Sequence, residues 1–225
     1  MIYRIITGVL FLLAIPVSAQ TTLPSTQPAA IDQSTPKGTL KLFFQAEASS
    51  DGTPLLTILL GDDATQKQMI VAMADKKNAD RDLTGALWKQ FPAQWPSDPR
   101  QRAVKDLPQI FAQIDQSNLT IDHDTAQVKA QSATSPPFTL KRVDGQWRIP
   151  LAVIVPVDDA AKLQAYSRQI EVQVGVMRDA TADVAAGKYP TFDQAVQDIK
   201  QRIFTAELAD HNAAKAATGP AGGAQ

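Results

Sequence analysis

One stretch, residues 138–151, leaves this chain the least conformational choice. Asp144-Gly145 separates Phe138–Val143 from Gln146–Leu151, two runs in which apolar and polar residues alternate. An Asp-Gly pair suits a two-residue loop whose central positions both need positive φ, and such a loop joins antiparallel strands. The loop also sets the register: Val143 faces Gln146, Arg142 faces Trp147, and Leu140 faces Ile149. Side chains alternate across a strand, so Phe138, Leu140, Trp147, Ile149 and Leu151 share one face, while Thr139, Lys141, Gln146 and Arg148 share the other. A sheet with one oily side needs a cover, and helices supply it.

Period-two spacing also precedes this hairpin. Leu119 and Ile121 alternate with Thr120 and Asp122; after a turn at His123-Asp124, Ala126, Val128 and Ala130 alternate with Gln127, Lys129 and Gln131. Four antiparallel strands are expected, with Ser135-Pro136-Pro137 between the pairs.

Elsewhere the apolar period is helical. Thr35-Pro36 suits a helix start, the threonine oxygen capping free amides and the proline filling a position whose N–H has no partner. Leu40, Phe43 and Phe44 form the stripe of that helix, which stops at Ser50-Asp51-Gly52; Pro54-Leu55-Leu56 opens a short second helix or turn ending near Gly61. A longer helix is expected over 64–90, led by Asp62-Asp63, with Met69, Met73, Leu83, Leu87 and Phe91 along one side and Ala72, Ala79 and Ala86 beside them. Lys76 and Asp80 interrupt this stripe. They signal either a bend near Asn78 or partial exposure with the lysine stem over apolar surface, or else a buried ion pair facing a cavity. A helix over 100–116 follows a proline-rich loop containing Trp95; its buried side is Val104, Leu107, Ile110, Phe111 and Ile114, with a break expected at Pro108. Asp158-Asp159 can cap a helix reaching about Ala186, in which Leu163, Tyr166, Ile170, Val174, Met177, Thr181 and Val184 keep the three- and four-residue spacing of a coiled coil. Gly187 ends it. Thr191 with Gln194 forms a capping box for a last helix carrying Phe192, Val196, Ile199 and Ile203, so the two read as an αα-hairpin.

The ends differ in character. Arg4, thirteen residues from Ile5 to Val17 that are mostly apolar, and Val17-Ser18-Ala19 have the three parts of a secretory signal, with cleavage expected before Gln20. That run is short of the about 20 apolar residues a spanning helix needs, so no stable membrane insertion is expected after cleavage. Export to the periplasm or the extracellular space follows. Residues 20–34 read as a flexible linker, 35–157 as an α+β domain, 158–211 as a helical hairpin packed on it, and 212–225 as a disordered tail. The chain has no cysteine, so its core holds the fold without disulfides. A formal net charge of −1 provides no basic face for nucleic acid.

The order of helices followed by an antiparallel meander, with Leu-Lys-Arg-Val-Asp-Gly-Gln-Trp-Arg-Ile at 140–149 and Thr-Pro-Lys-Gly-Thr-Leu-Lys-Leu-Phe-Phe-Gln-Ala at 35–46, resembles the nuclear-transport-factor-2-like superfamily, including its SnoaL-like and lumazine-binding-like domains. The likeness spans residues 35–155 and implies a cone of sheet and helices. The ketosteroid-isomerase-like members use an acidic base and a tyrosine–acid pair in the cone. Tyr3 lies in the signal, and Tyr166 and Tyr189 lie in the added helices, so no catalytic residue carries over.

Candidate chemistry is sparse. Asp122-His123-Asp124 places a histidine between two carboxylates, but a metal needs further converging ligands, and such a run is common in a polar turn. No phosphate loop or nucleophile elbow occurs, and no cofactor is implied. Trp147 opposite Arg142 could stack as a cation–π pair, and Trp88 and Trp95 could line a cleft; in the plainer reading Trp147 is core and the other two cover helix ends. The expected function is a non-catalytic binding or scaffold module, with a protein partner or second copy meeting the C-terminal helices. The alternative is a small-ligand binder or enzyme whose pocket is lined by Phe43, Lys76, Asp80, Leu140, Trp147 and Ile149.

Overall fold

A computed structural model describes residues 31, 33–94, 103–131, 136–157 and 159–218. The segment expected as a signal, most of the expected linker, Trp95, Ser135 and Asp158 lie outside the described residues. The described chain is α+β, with seven α-helices and a five-stranded mixed sheet.

Helix α1 (Pro36–Ser49) starts as its sequence dictates. The Thr35 hydroxyl accepts from the Gly38 amide at 3.1 Å, Pro36 stands in the first turn, and Ser50 ends the helix in the left-handed region at φ 52°. Short helix α2 (Leu55–Ile58) runs directly into strand β1 (Leu59–Leu60). Helix α3 (Ala64–Gln90) is continuous through Asn78; its cap is Asp63, whose carboxylate accepts from the Gln66 amide at 2.8 Å. Two 3-10 turns, Pro92–Gln94 and Ala103–Asp106, precede helix α4 (Leu107–Gln116). Pro108 therefore falls in the first turn of α4, where its missing N–H is harmless, and the expected helix is broken before it. Val104 belongs to the 3-10 turn and is exposed rather than buried.

Strands β2 (Asn118–Asp122), β3 (Thr125–Lys129), β4 (Phe138–Val143) and β5 (Gln146–Pro150) form the antiparallel meander with the expected turns. Val143 pairs with Gln146 and Arg142 with Trp147, and the Asp144-Gly145 turn has φ of 53° and 78°. The sheet order is β1-β5-β4-β3-β2. β1, expected as the end of a short helix or turn, instead pairs parallel to β5, Leu59 with Ile149 and Leu60 with Pro150. Two residues carry no readable period, so tertiary pairing decides their conformation. Leu151 begins helix α5 (Leu151–Ile154) instead of extending β5, and is buried there.

Helices α1, α2 and α5 pack on β5, and α4 packs against α1. Trp147 shows how the β5 edge beside β1 is closed: its N–H donates to Gln33 O at 3.1 Å, and its carbonyl accepts from Thr39 Oγ1 at 3.1 Å. Both backbone groups are satisfied without another strand, as burial requires. Thr39 is fully buried for this reason.

Helix α6 (Ala160–Ala185) is capped by Asp159, whose carboxylate accepts from Ala161 and Lys162 amides and is held below its ordinary value chiefly by those bonds. Gly187 ends it at φ 69°. Helix α7 (Phe192–Thr218) follows, the Thr191 hydroxyl accepting from the Gln194 amide at 3.3 Å. α7 continues past His211 through a stretch expected as tail, because its alanines, such as Ala213 and Ala216, favour helix intrinsically.

The most extensive helix contact is between α3 and α6. Gln68 Nε2 donates to Glu171 and Arg178 pairs with Asp75, both ties linking residues 103 apart in sequence, so the two helices run parallel. Leu163, Ile170, Val174, Met177 and Val184 are buried along α6, and Met69, Met73, Leu83 and Leu87 along α3, as their spacing requires. α7 packs antiparallel on α6: Arg202 pairs with Asp183, Gln173 with Glu207, and Arg168 with Asp210.

Candidate functional site

Phe43, Leu140, Trp147 and Ile149 come together in one buried hydrophobic cluster between α1 and the sheet. Phe43 meets Phe44 edge-to-face at 5.6 Å, and Phe44 meets Phe138 at 6.2 Å, a geometry that favours the ring quadrupoles. Lys76 and Asp80 are elsewhere. They pair with each other along α3 at 2.7 Å, with side chains 20% and 44% exposed. An i,i+4 pair of such exposure stabilises by about 0.3–0.5 kcal/mol, the energy of a surface tie.

The Asp122-His123-Asp124 turn is a solvated loop. His123 has φ 51°, its ring is almost fully exposed, and Nδ1 lies 2.6 Å from Asp122 Oδ1. Among the described residues no group of three or more His, Asp or Glu side chains is arranged to hold a metal. Arg142 is exposed while Trp147, its cross-strand partner, is buried. Trp88 is half-buried near the C-terminal end of α3.

The densest polar constellation lies at the α6–α7 junction, which sequence reasoning treated only as a turn. Asp183 accepts from both Lys188 and Arg202, the latter at 2.7 Å. Arg202 Nε also meets Asp198 at 2.7 Å, and Tyr189 Oη donates to Asp198 Oδ2 at 2.5 Å. The hydrogen bonds from Lys188 and Arg202 hold the Asp183 carboxyl below its ordinary value, and the bond to Asp183 raises Arg202. Burial, then the hydrogen bond to Asp198, pushes Tyr189 up to about 12. One signal was available: Asp198 and Arg202 stand four apart on α7, and Asp183, Lys188 and Tyr189 bracket Gly187. Only the helix pairing shows that they converge.

This cluster fixes the angle at which α7 returns along α6. Its acidic and basic groups pair with one another, so its chemistry is that of a clasp, and its pH response follows by linkage. The unfolded chain releases the tyrosyl proton near its ordinary value of 10.0, whereas the folded chain keeps Tyr189 protonated to about 12. Stability from this group is therefore full below pH 10.0 and falls as pH rises towards about 12. Tyr189→Phe is expected to flatten this alkaline limb in denaturation series across pH. An unchanged limb would show that Tyr189 does not carry it.

Phe204 and Leu208, four apart on α7, present a different feature: they are 61% and 48% exposed on the same side of the helix. Among the described residues no helix is long and apolar enough to cross a membrane. Searches of protein-family models, curated proteins and solved structures find no match to the chain.

Proposed function

We propose that the chain is an exported, non-catalytic binding or scaffold module. In this reading a cone-like unit resembling the nuclear-transport-factor-2-like domains carries a C-terminal helical layer, and that layer meets a protein partner. The observation that carries it is the exposed Phe204–Leu208 pair on α7, the helix that a polar clasp ties to α6. Exposed aromatic and aliphatic side chains on one helix face are a means of contact, and aromatic anchors dominate such contacts. The Arg4 to Ala19 segment supports export.

The test has two parts. The N-terminal residue of the protein recovered outside the cytoplasm is expected to be Gln20; recovery only from the cytoplasm with Met1 intact would refute export. A photo-crosslinking residue at Phe204 is expected to give discrete adducts in the producing cell that Leu208→Asp abolishes. Equal labelling from an exposed control position away from α7, such as Lys141 on β4, would refute partner contact.

A second reading rests on the convergence of Phe43, Leu140, Trp147 and Ile149, the side chains a cone-shaped ligand pocket would use. Truncation of Trp147, argued below, separates it from a filled core.

A further inference from the structure

The sheet has two unlike edges. The edge at β5 is closed by β1, Gln33 and Thr39. The opposite edge is β2, which among the described residues is paired on one side only and exposed at all five residues. Leu119 is 39% and Ile121 53% exposed, although both stand on the oily face, opposite the buried Val128 and Ala126. Among the described residues helices pack on β5 and β3, while Leu119 and Ile121 on β2 stay exposed. Edge strands are ordinarily blunted by proline, lysine or a bulge, and Asn118-Leu119-Thr120-Ile121-Asp122 has none of these.

The ladder shows which backbone groups face outward. Arg142 N–H donates to Asp124 O at 2.7 Å, so even-numbered residues of β3 bond to β4 and odd-numbered ones to β2. Thr125, Gln127 and Lys129 are thus the hydrogen-bonding partners of Asp122, Thr120 and Asn118. The N–H and C=O groups of Leu119 and Ile121 are left pointing away from the sheet.

We propose that β2 pairs with β2 of a second copy of this chain, antiparallel about a two-fold axis at Thr120, making one continuous sheet across a homodimer. The strand is complementary to itself in this register. Leu119 meets Ile121 of the second copy, and Ile121 meets its Leu119, on the oily face. On the polar face Thr120 meets Thr120, and Asn118 meets Asp122 of the second copy, so no like charges oppose. Lys129, which stands beside Asn118 in β3, faces that Asp122 along the same row. This register engages both outward-facing residues of each strand and yields four backbone hydrogen bonds. A register centred on Leu119 or Ile121 engages one outward-facing residue per strand. An isologous contact of this kind closes on itself as a dimer and does not propagate.

The absence of cysteine makes a specific test possible. Facing residues of a non-hydrogen-bonded antiparallel pair lie about 4.5 Å apart at Cα, within disulfide range. The two Asp122 positions would lie about 13 Å apart along the strands, well outside it. The full mature chain carrying Thr120→Cys is expected to convert nearly completely to a covalent dimer on mild oxidation, and the chain with Asp122→Cys to stay uncrosslinked. The unmodified chain is expected to have twice the monomer mass by light scattering, and Ile121→Lys to return it to monomer mass with unchanged far-ultraviolet circular dichroism. Phe204 and Leu208 lie on α7, so Leu208→Asp is expected to leave this dimer intact, which separates the edge pairing from a contact through the helices. A monomeric unmodified chain at every concentration, or equal crosslinking from Thr120→Cys and Asp122→Cys, overturns the proposal.

Discussion

Trp147→Ala is expected to lower the free energy of unfolding by about 3–5 kcal/mol. The indole is 4% exposed within the main hydrophobic cluster, so its removal loses the burial of a large aromatic surface. The surroundings are poorly placed to close over the gap. The backbone at Trp147 is fixed on one edge by Gln33 O and Thr39 Oγ1, and β4 holds the other through the hairpin register. A cavity that cannot collapse gives the upper part of the range. Urea denaturation with an unchanged m-value is the measurement. A loss below about 1.5 kcal/mol would show that the indole borders open space, and would move the balance towards a ligand pocket. Added indole sharpens the distinction: it should raise the melting temperature of the alanine variant and leave the unsubstituted protein unmoved. Stabilisation of the unsubstituted protein by the same compound would reveal a preformed pocket.

The second large effect is expected at Gly52, where no side chain fits. A Cβ built there would stand 1.9 Å from the Ala74 carbonyl oxygen and 2.5 Å from its carbon. Those atoms belong to the backbone of α3, which cannot retreat without breaking its own ladder or leaving α6. The loop on the other side is tied down as well, since the Gly52 amide donates to Asn78 Oδ1 at 3.0 Å and its carbonyl accepts from the Leu55 amide at 3.0 Å. Gly52→Ala should therefore cost about 3 kcal/mol by forced separation of packed backbone. It should also weaken the docking of α3 on the α1–α2 connection before the sheet itself is lost. Amide hydrogen exchange would show this as faster exchange in α1 and α2. Gly175 supplies the control: a Cβ there meets nothing within 4 Å, so Gly175→Ala in the middle of α6 should gain about 0.5–1 kcal/mol. A loss at Gly52 below about 0.5 kcal/mol, or a gain like that at Gly175, would mean that the close approach at Ala74 does not govern Gly52.

How far these features were legible in the sequence depends on how local they are. The Asp144-Gly145 turn, the Thr35, Asp63 and Asp159 caps, and the α3 and α6 stripes follow from neighbours within a few residues, and the structure contains each of them. The candidate pocket residues were half legible. The strand period put Leu140, Trp147 and Ile149 on one face, and the helical period added Phe43. Lys76 and Asp80 occupied the same helical stripe in sequence, yet they form a partly exposed pair of their own, because a stripe does not say how far along its length a neighbouring helix covers it. Of the α6–α7 clasp only the four-residue spacing of Asp198 and Arg202 was legible, since Asp183 and Arg202 become neighbours only after α7 folds back.

The sequence by itself determined the local conformations: period two with a positive-φ turn makes strands, and period three to four with capping groups makes helices. These depend on torsion angles and on hydrogen bonds between near neighbours. Tertiary structure alone decided that Leu59-Leu60 becomes a strand, that α6 aligns parallel to α3, and that Leu119 and Ile121 remain at an open edge despite an inward-facing pattern. The physical reason is that periodicity encodes which side of an element is apolar, whereas burial depends on which other element reaches that side.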